Sequence, residues 1–294
     1  MKNKLVPVKK SLTRFRTAVY SRHNTHRPLR TLLPLLPFRS CLHMGSQTSI
    51  QDSIQKGGRR VEINSVQGVR NSASKLLMKQ CFQKAKVKTA DWYLYQGGKF
   101  FQQLDTPKEV DINKLPYPII AKSHYGSRCQ GNYKLDTAAQ LTSFLERHTP
   151  SNYIFERFYN YSKEYRLHIT EDGCFYTCRK MLKKDTPKDK QWFKNDSNSV
   201  WILEENPQFE KPVNWQEIVD DCTKAIVAVG LDVGSVDLRC QGATDEKGNT
   251  RKSCDWCVIE TNSASGMAPI VLQKYIDMIP KLATKIAQKH GLLK

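Results

Sequence analysis

Apolar residues along the chain switch between helical spacing and strand alternation, which predicts a mixed fold. Apolar positions recurring every three or four residues indicate helices at 71–87, 137–148, 215–231 and 270–292, with a further short helix at 27–36. Ser72 or Ser74 can cap the first of these, and Gly230 is placed to end the third. Short apolar runs indicate strands at 40–44, 61–64, 117–123 and 152–158.

Three further pairs of strand-like segments are joined by turn-forming residues, which predicts hairpins. Their turns lie at Gly97–Gly98, at Asp172–Gly173 and near Gly248. Residues 183–214 are charged and irregular, and the chain has no internal repeat. Because hairpins dominate, the sequence predicts an α+β fold with antiparallel sheets.

The chain of 294 residues is long enough for one large domain or for two to three small ones. It has no apolar run of about 18 residues, so we expect no membrane span. The apolar segment 29–38 is interrupted by two prolines and an arginine, which argues against a signal peptide. The basic and acid-free first 43 residues are also compatible in composition with an organellar transit peptide.

Cysteine usage favours a reduced, cytosolic protein. The nine cysteines are scattered, and only Cys254 and Cys257 have the spacing of a zinc or redox motif. That motif lies in a segment predicted to be a strand, where the two thiols would point to opposite faces. We therefore expect structural thiols, with a metal site as the alternative.

The last predicted hairpin brings polar residues together at the end of a buried strand. If its strands pair symmetrically about residues 248 and 249, Asp237 lies directly opposite Glu260, with their Cβ atoms about 5 Å apart. Two carboxylates this close repel each other unless a cation lies between them. Asn262 points to the same side, so the set offers only oxygen ligands, which suits Mg²⁺.

Positive and negative side chains elsewhere could complete a nucleotide site. Lys122 ends an apolar strand just before a loop that contains Gly126, Ser127 and Gly131, a context suited to phosphate. Lys75 at the start of a helix is a second candidate. Glu156 and Glu164 could accept hydrogen bonds from ribose hydroxyls, although surface acids around a loop are the alternative interpretation.

These segments, taken in order, resemble the ATP-grasp fold over residues 40–280. The resemblance rests on a helix led by lysine, a strand–Lys–glycine loop, a Glu-rich linker, the segment "EYRLH…CRKML…QWFKNDSNSVWIL", and finally "GLDVGSVDL" with "VIETNSASGM". Similar segments occur in ATP-grasp proteins of tailed bacteriophages, relatives of ribosomal-protein glutamate ligases and D-alanine–D-alanine ligases.

The resemblance implies a domain organisation. A reduced N-terminal domain would span 1–70, an N-lobe 71–155, and a C-lobe with the metal site 156–294. The opening segment "PFRSCLHMGSQT" resembles the family's abbreviated first domain, which favours a cytoplasmic protein (in the host cell, if the chain is viral) over a transit peptide.

The resemblance also implies how ATP and the cofactor Mg²⁺ (or Mn²⁺) would bind. Asp237, Glu260 and Asn262 would ligate two ions, and Arg179 and Lys194 would meet the γ-phosphate or an acyl-phosphate. Lys75 and Lys122 would contact the α- and β-phosphates, and Glu164 would bind the ribose. Glu156 would hold the adenine, together with the backbone of Arg157 and Phe158.

Two positions depart from the family pattern. Cys129 stands where the phosphate loop usually has glycine. Ser235 stands where D-alanine–D-alanine ligases have an arginine, so oxyanion stabilisation would have to come from Arg166 or Arg179.

The function implied is ATP-dependent ligation of a carboxylate to an amine through an acyl-phosphate, without a nucleophilic serine or cysteine. An ATP-grasp kinase of a polyol or inositol phosphate is one alternative, although those relatives favour Asp-x-Asn where this chain has Glu260-Thr-Asn262. A non-catalytic nucleotide- or nucleic-acid-binding protein is another, and its one support is the net charge of +19.

The basic residues raise the possibility of an anionic acceptor, including nucleic acid. Ten Lys/Arg and no acids precede position 44, and residues 179–190 form a second basic run in the segment that in the family flanks the acceptor site. The alternative is that these residues only keep the protein soluble. Otherwise the partners would be small-molecule or protein-bound acids and amines.

Overall fold

The structure, a computed structural model, describes residues 17–21, 28–29, 40–47, 61–126, 130–195 and 197–291. Most of the basic first 43 residues, with the helix predicted at 27–36, therefore lies outside the described residues, as do Ser127 and Cys129. None of the described helices combines the length and the apolar character that a membrane span requires.

The described strands form three sheets. A small parallel sheet has the order β1 (Thr17–Ser21), β2 (Ser40–Met44), β3 (Val61–Ile63). An antiparallel six-stranded sheet has the order β6 (Lys108–Val110), β5 (Lys99–Gln102), β4 (Trp92–Gln96), β9 (Tyr153–Arg157), β7 (Ile119–Ser123), β8 (Asn132–Leu135). An antiparallel five-stranded sheet has the order β12 (Ser199–Leu203), β11 (Gly173–Leu182), β10 (Lys163–Thr170), β13 (Val233–Cys240), β14 (Trp256–Asn262).

Five described helices cover these sheets, and the described apolar residues form three cores. The helices are α1 (Val66–Ala73), α2 (Lys75–Lys84), α3 (Ala138–Arg147), α4 (Trp215–Val229) and α5 (Pro269–Lys289). Helix α5 packs on the parallel sheet, α3 on the six-stranded sheet, and α2 and α4 on one face of the five-stranded sheet. The opposite face of that sheet packs on α5 at one end, where His168 lies 3.1 Å from the Tyr275 hydroxyl, and lines a cavity at the other end. The predicted α+β fold with antiparallel sheets is confirmed, with a small parallel sheet in addition.

The helix predicted at 71–87 is in fact two helices that meet at Ser74. The backbone of Ser74 is extended, and its side chain accepts a hydrogen bond from the Leu77 amide at 3.4 Å, so it caps α2 as one of the two predicted serines. Helix α1 was not predicted. It packs so closely that a Cβ at Gly68 would lie 2.1 Å from the carbonyl oxygen of Gly230, the left-handed residue that ends α4.

Strand β12 was also missed, because it lies inside the charged segment 183–214. Its pairing with β11 makes it the edge strand of the five-stranded sheet. The three predicted hairpins are all present. The domain boundaries at residues 70 and 155 stay predictions.

Candidate functional site

The hairpin of β13 and β14 places the predicted carboxylates side by side. Asp237 pairs with Glu260, and Ser235 pairs with Asn262. The register then shifts by one residue, since Leu238 pairs with Val258. This irregularity lets Val258 enter the core while Ile259 lines the same cavity as Glu260.

A cavity of about 670 Å³ lies between the six-stranded and five-stranded sheets. It is large enough for a nucleotide and a small substrate. The structure brings most of the predicted site residues to its wall: Lys75, Lys122, Glu156, Arg157, Phe158, Glu164, Arg166, Lys194, Asp237, Glu260 and Asn262.

The Asp237 carboxylate is held by two cations. Both of its oxygens accept hydrogen bonds from the Arg166 guanidinium, at 2.7 Å each, and the Lys180 ammonium lies 3.5 Å away. Burial opposes ionisation of Asp237, but Arg166 and Lys180 outweigh it and hold the pKa of this carboxyl below its ordinary value. Asp237 is therefore an anion although only 6% of its side chain is exposed.

The Glu260 carboxylate is balanced in the same way. Its Oε2 lies 2.7 Å from the Lys75 ammonium, and its Oε1 lies 3.5 Å from Nδ2 of Asn262. Burial and the nearby Asp237 raise the pKa of Glu260, but the Lys75 and Lys122 ammonium groups together bring it below its ordinary value. Arg166 and Lys75 thus provide the positive charge that two facing carboxylates require.

Glu156, on strand β9 of the six-stranded sheet, lies between the side chains of two lysines. It pairs with Ile120 across β7 and β9, so it shares a face with Lys122, whose Nζ lies 2.7 Å from Oε2. Lys79 approaches the other oxygen at 3.3 Å. Burial opposes ionisation, but the two ammonium groups lower the pKa of Glu156 overall.

Glu164 is surrounded by three cations at the side of the cavity. Arg239 donates to it at 3.0 Å, and the ammonium groups of Lys180 and Lys194 lie at 3.5 and 3.6 Å. Trp201 pairs with Lys180 across β11 and β12. Its ring packs over Arg166 and Lys180, with the centroid 4.9 Å from each. These contacts create a strongly positive wall.

The prediction for Arg179 differs from the structure, because its side chain lies on the opposite face of the sheet. It is buried near Tyr165 and Glu210 instead, with Nη1 3.7 Å from Glu210. Thr170 pairs with Gly173 at the turn, and a hairpin that continued regularly from this pair would place Arg179 opposite Glu164. An irregularity between His168 and Ile169 shifts the register by one, so Lys180 pairs with Glu164 and faces the cavity.

Sequence reasoning missed Lys79, Lys180, Trp201 and Arg239. For Lys79 a signal was present, since it follows Lys75 by one helical turn and so shares its face of α2. Arg239 could have been found from alternation, because it lies two residues past Asp237 on β13. The bulge in β11 and the unpredicted β12 hid the other two.

The remaining polar candidates lie around the site. Ser235, in the position of the family arginine, is buried and hydrogen-bonded to Ser265. Cys254 lies just before β14, which begins at Trp256, and its thiol donates to the Gly242 carbonyl at 3.3 Å. Cys254 and Cys257 form no disulfide, and the described part of the chain holds no cluster of three His, Cys, Asp or Glu side chains that could bind a metal.

Comparison with known proteins identifies the fold. No protein-family model and no curated protein sequence matches the chain. Among solved structures, D-alanine–D-alanine ligase from Bacillus anthracis superposes with a TM-score of 0.58 at 16% identity, over 87% of this chain and 83% of that one. The same ligase complexed with ATP gives 0.56 at 15%, over 86% and 82%.

A third similar structure is the ATP-grasp ligase PsnB complexed with a minimal precursor. It superposes with a TM-score of 0.51 at 15% identity, over 85% of this chain and 78% of that one. The protein therefore has the ATP-grasp fold. At these identities the likeness defines the fold alone.

Proposed function

We propose that the protein is an ATP-dependent ligase that joins a carboxylate to an amine. The observation that carries the proposal is the set Asp237, Glu260 and Asn262, which lines the same cavity as the phosphate candidates Lys75 and Lys122. A protein that only bound nucleotide would not need two facing carboxylates at this point. The fold adds support, because its solved representatives include ligases.

ATP would lie between the two antiparallel sheets. Lys75 and Lys122 would meet the α- and β-phosphates, and Glu164 the ribose. The adenine edge would meet Glu156 and the backbone of Arg157 and Phe158. In support, Glu156, Arg157 and Phe158 all line the cavity.

The residues present fit a divalent cation. Asp237 and Glu260 are two facing anions with the Asn262 amide beside them, and Arg166 and Lys75 now balance the charge that a divalent cation would balance. All available donors are oxygens, which suits Mg²⁺ or Mn²⁺. When bound, the ions would supply positive charge next to the phosphate oxygens.

Positively charged side chains of the protein would stabilise the phosphoryl group during its transfer. As a carboxylate oxygen of the substrate bonds to the γ-phosphorus, the bond from that phosphorus to the bridging oxygen breaks and ADP leaves. Arg166, Lys180 and Lys194 are placed to neutralise the phosphoryl oxygens in this step. Lys180 replaces Arg179 in the set of catalytic candidates, beside the predicted Arg166 and Lys194.

Amide formation completes the reaction. The amine nitrogen bonds to the acyl carbon, phosphate departs with the bonding electrons, and the nitrogen loses a proton to solvent. Because Ser235 is already bonded to Ser265, the developing oxyanion would be stabilised by Arg166, which lines the cavity.

The proposal is tested by incubating the protein with ATP, Mg²⁺ and pooled amino acids. We expect phosphate release that depends on the pool, together with new amide products in the mass spectrum. ATP consumption that yields a stable phosphorylated product without free phosphate would indicate a kinase. Nucleotide binding without turnover in any acid or amine pool would indicate a protein that only binds nucleotide.

We propose further that one substrate is anionic. Among the described residues, the cavity is lined by seven Lys/Arg side chains against four carboxylates. If Mg²⁺ neutralises the charge of ATP in full, the excess of positive side chains in the cavity can still attract an acidic substrate. The exposed Lys183 and Lys184 follow directly along β11 and its connecting loop, and they extend the positive charge beyond the cavity.

We predict that neutralising Lys183 and Lys184 to glutamine weakens the binding of a polyglutamate peptide or an oligonucleotide by several-fold at low salt. The difference from wild type should vanish near physiological salt, where the Debye length falls to about 8 Å. Fluorescence anisotropy over a salt series measures it. The matched control neutralises Lys108 and Lys114, exposed on the other lobe. Equal losses in both variants, or a flat salt response, would assign the charge to solubility.

A further inference from the structure

Lys79 is a fully buried lysine behind the wall of the cavity. It lies on α2 one turn after Lys75, and its side chain is 0% exposed. Its ammonium donates to Oγ1 of Thr89 at 2.5 Å and lies 3.3 Å from Oε1 of Glu156. Thr89 in turn donates to the Val258 carbonyl on β14 at 2.7 Å, so Lys79 connects both sheets.

Stability alone does not account for a charge in this position. Removing an ammonium group from water costs several kcal/mol, and apolar residues of similar volume often replace buried ion pairs without loss of stability. Burial lowers the pKa of Lys79, while the neighbouring Glu156 opposes that shift. The neighbours on α2 that face the core, Met78 and Phe82, are apolar in the usual way.

The three charged groups form a row that ends in the cavity. Lys79 meets one oxygen of Glu156, and Lys122 meets the other at 2.7 Å. Two ammonium groups therefore share one carboxylate that is only 4% exposed. Of the two, Lys122 is the one that reaches the cavity wall.

We propose that Lys79 is a positioning residue, which holds the Glu156 carboxylate so that Lys122 can turn from it to the phosphates of a bound nucleotide. The inference rests on the proposed function, because it takes the ligand to be ATP. When Lys122 moves toward phosphate, Glu156 keeps an ion pair with Lys79. Without Lys79, the same movement would leave the buried Glu156 carboxylate without a cation. This free-energy cost would weaken nucleotide binding.

This role makes a specific prediction for a double-mutant cycle. Lys79→Met should weaken the binding of the β,γ-imido analogue of ATP by about 10- to 100-fold, since Lys122 stays bound to Glu156. In a Glu156→Gln background Lys122 has no carboxylate to leave, so the same Lys79→Met change should alter affinity by less than about threefold. Calorimetric titration in Mg²⁺ measures all four proteins.

The controls separate positioning from a merely structural role. Lys84→Met makes the same change at an exposed site on the same helix and should bind like wild type. Thermal unfolding of each variant reports its stability. If Lys79→Met fails to fold, Lys79→Gln replaces it in the cycle, because its amide can still donate hydrogen bonds but lacks the charge that pairs with Glu156.

Three outcomes would overturn the inference. The first is wild-type affinity in Lys79→Met, and the second is a loss that persists at full size in the Glu156→Gln background. In both cases nucleotide binding by the wild-type protein would leave the proposed function standing. The third is a wild-type protein that binds neither the analogue nor ATP, which would remove the proposed function as well.

Discussion

Glu260→Gln is expected to abolish ATP turnover, with a fall of about 10²- to 10³-fold or more, while leaving the fold intact. The substitution keeps the shape of the side chain but removes half of the negative charge that Asp237 and Glu260 present to a divalent cation. Asp237→Asn should have the same effect on turnover. ADP formation in the presence of Mg²⁺ and a substrate pool measures both.

Glu260 gives the cleaner of the two experiments. Its side chain is 28% exposed, and the loss of its ion pair leaves Lys75 within reach of water. Asp237 is 6% exposed and holds Arg166 by two hydrogen bonds, so Asp237→Asn strands a guanidinium and should also lower the unfolding temperature. The matched control is Glu246→Gln, an exposed acid in the turn of the same hairpin. Turnover near the wild-type rate in Glu260→Gln would remove the metal assignment.

Lys122→Ala is expected to weaken binding of a non-hydrolysable ATP analogue by about 10- to 100-fold, and Lys75→Ala by less. Lys122 extends from a buried strand, so little freedom is lost when it meets phosphate. Both lysines must leave a carboxylate at 2.7 Å to meet phosphate, but Glu156 keeps Lys79 when Lys122 leaves, whereas Lys75 is the lysine paired with Glu260. Lys75→Ala therefore removes a phosphate contact, but it also removes the need to break the ion pair with Glu260.

The structure makes Lys122→Ala a fair test, because Glu156 keeps its contact with Lys79 after Lys122 is gone. The fold should consequently be little disturbed. Lys134→Ala, on the neighbouring strand β8, serves as the control for loss of one positive charge near the loop. Calorimetry that gives equal affinities for Lys122→Ala and wild type would eliminate the proposed phosphate contact.

Local pattern sufficed to predict the centre of the candidate site. The turn near Gly248 predicted the pairing of Asp237 with Glu260, which the structure confirms, although the pairs nearer the turn are shifted by one residue. Asn262 followed from the two-residue period of the strand. The roles of these residues in binding metal stay predictions, as do the relation to bacteriophage proteins and the anionic acceptor.

Contacts that depend on irregular backbone could not be predicted in this way. One extra residue in β11 decides that Lys180 and not Arg179 faces the cavity, and nothing in the local composition marks that bulge. Strand β12 is a short apolar run inside a charged segment, and it pairs with the edge that β11 offers. Lys79 looks like a surface lysine until α2 is packed against Glu156.

The central claim, that a carboxylate is activated by phosphoryl transfer from ATP, is tested most directly with ¹⁸O. Pooled amino acids labelled in their carboxyl oxygens are incubated with the protein, ATP and Mg²⁺, and the released phosphate is analysed by mass spectrometry. An acyl-phosphate route moves one labelled oxygen into phosphate for each amide formed, and this is the result we predict. Unlabelled phosphate, or a stable phosphorylated product in place of free phosphate, would contradict the account.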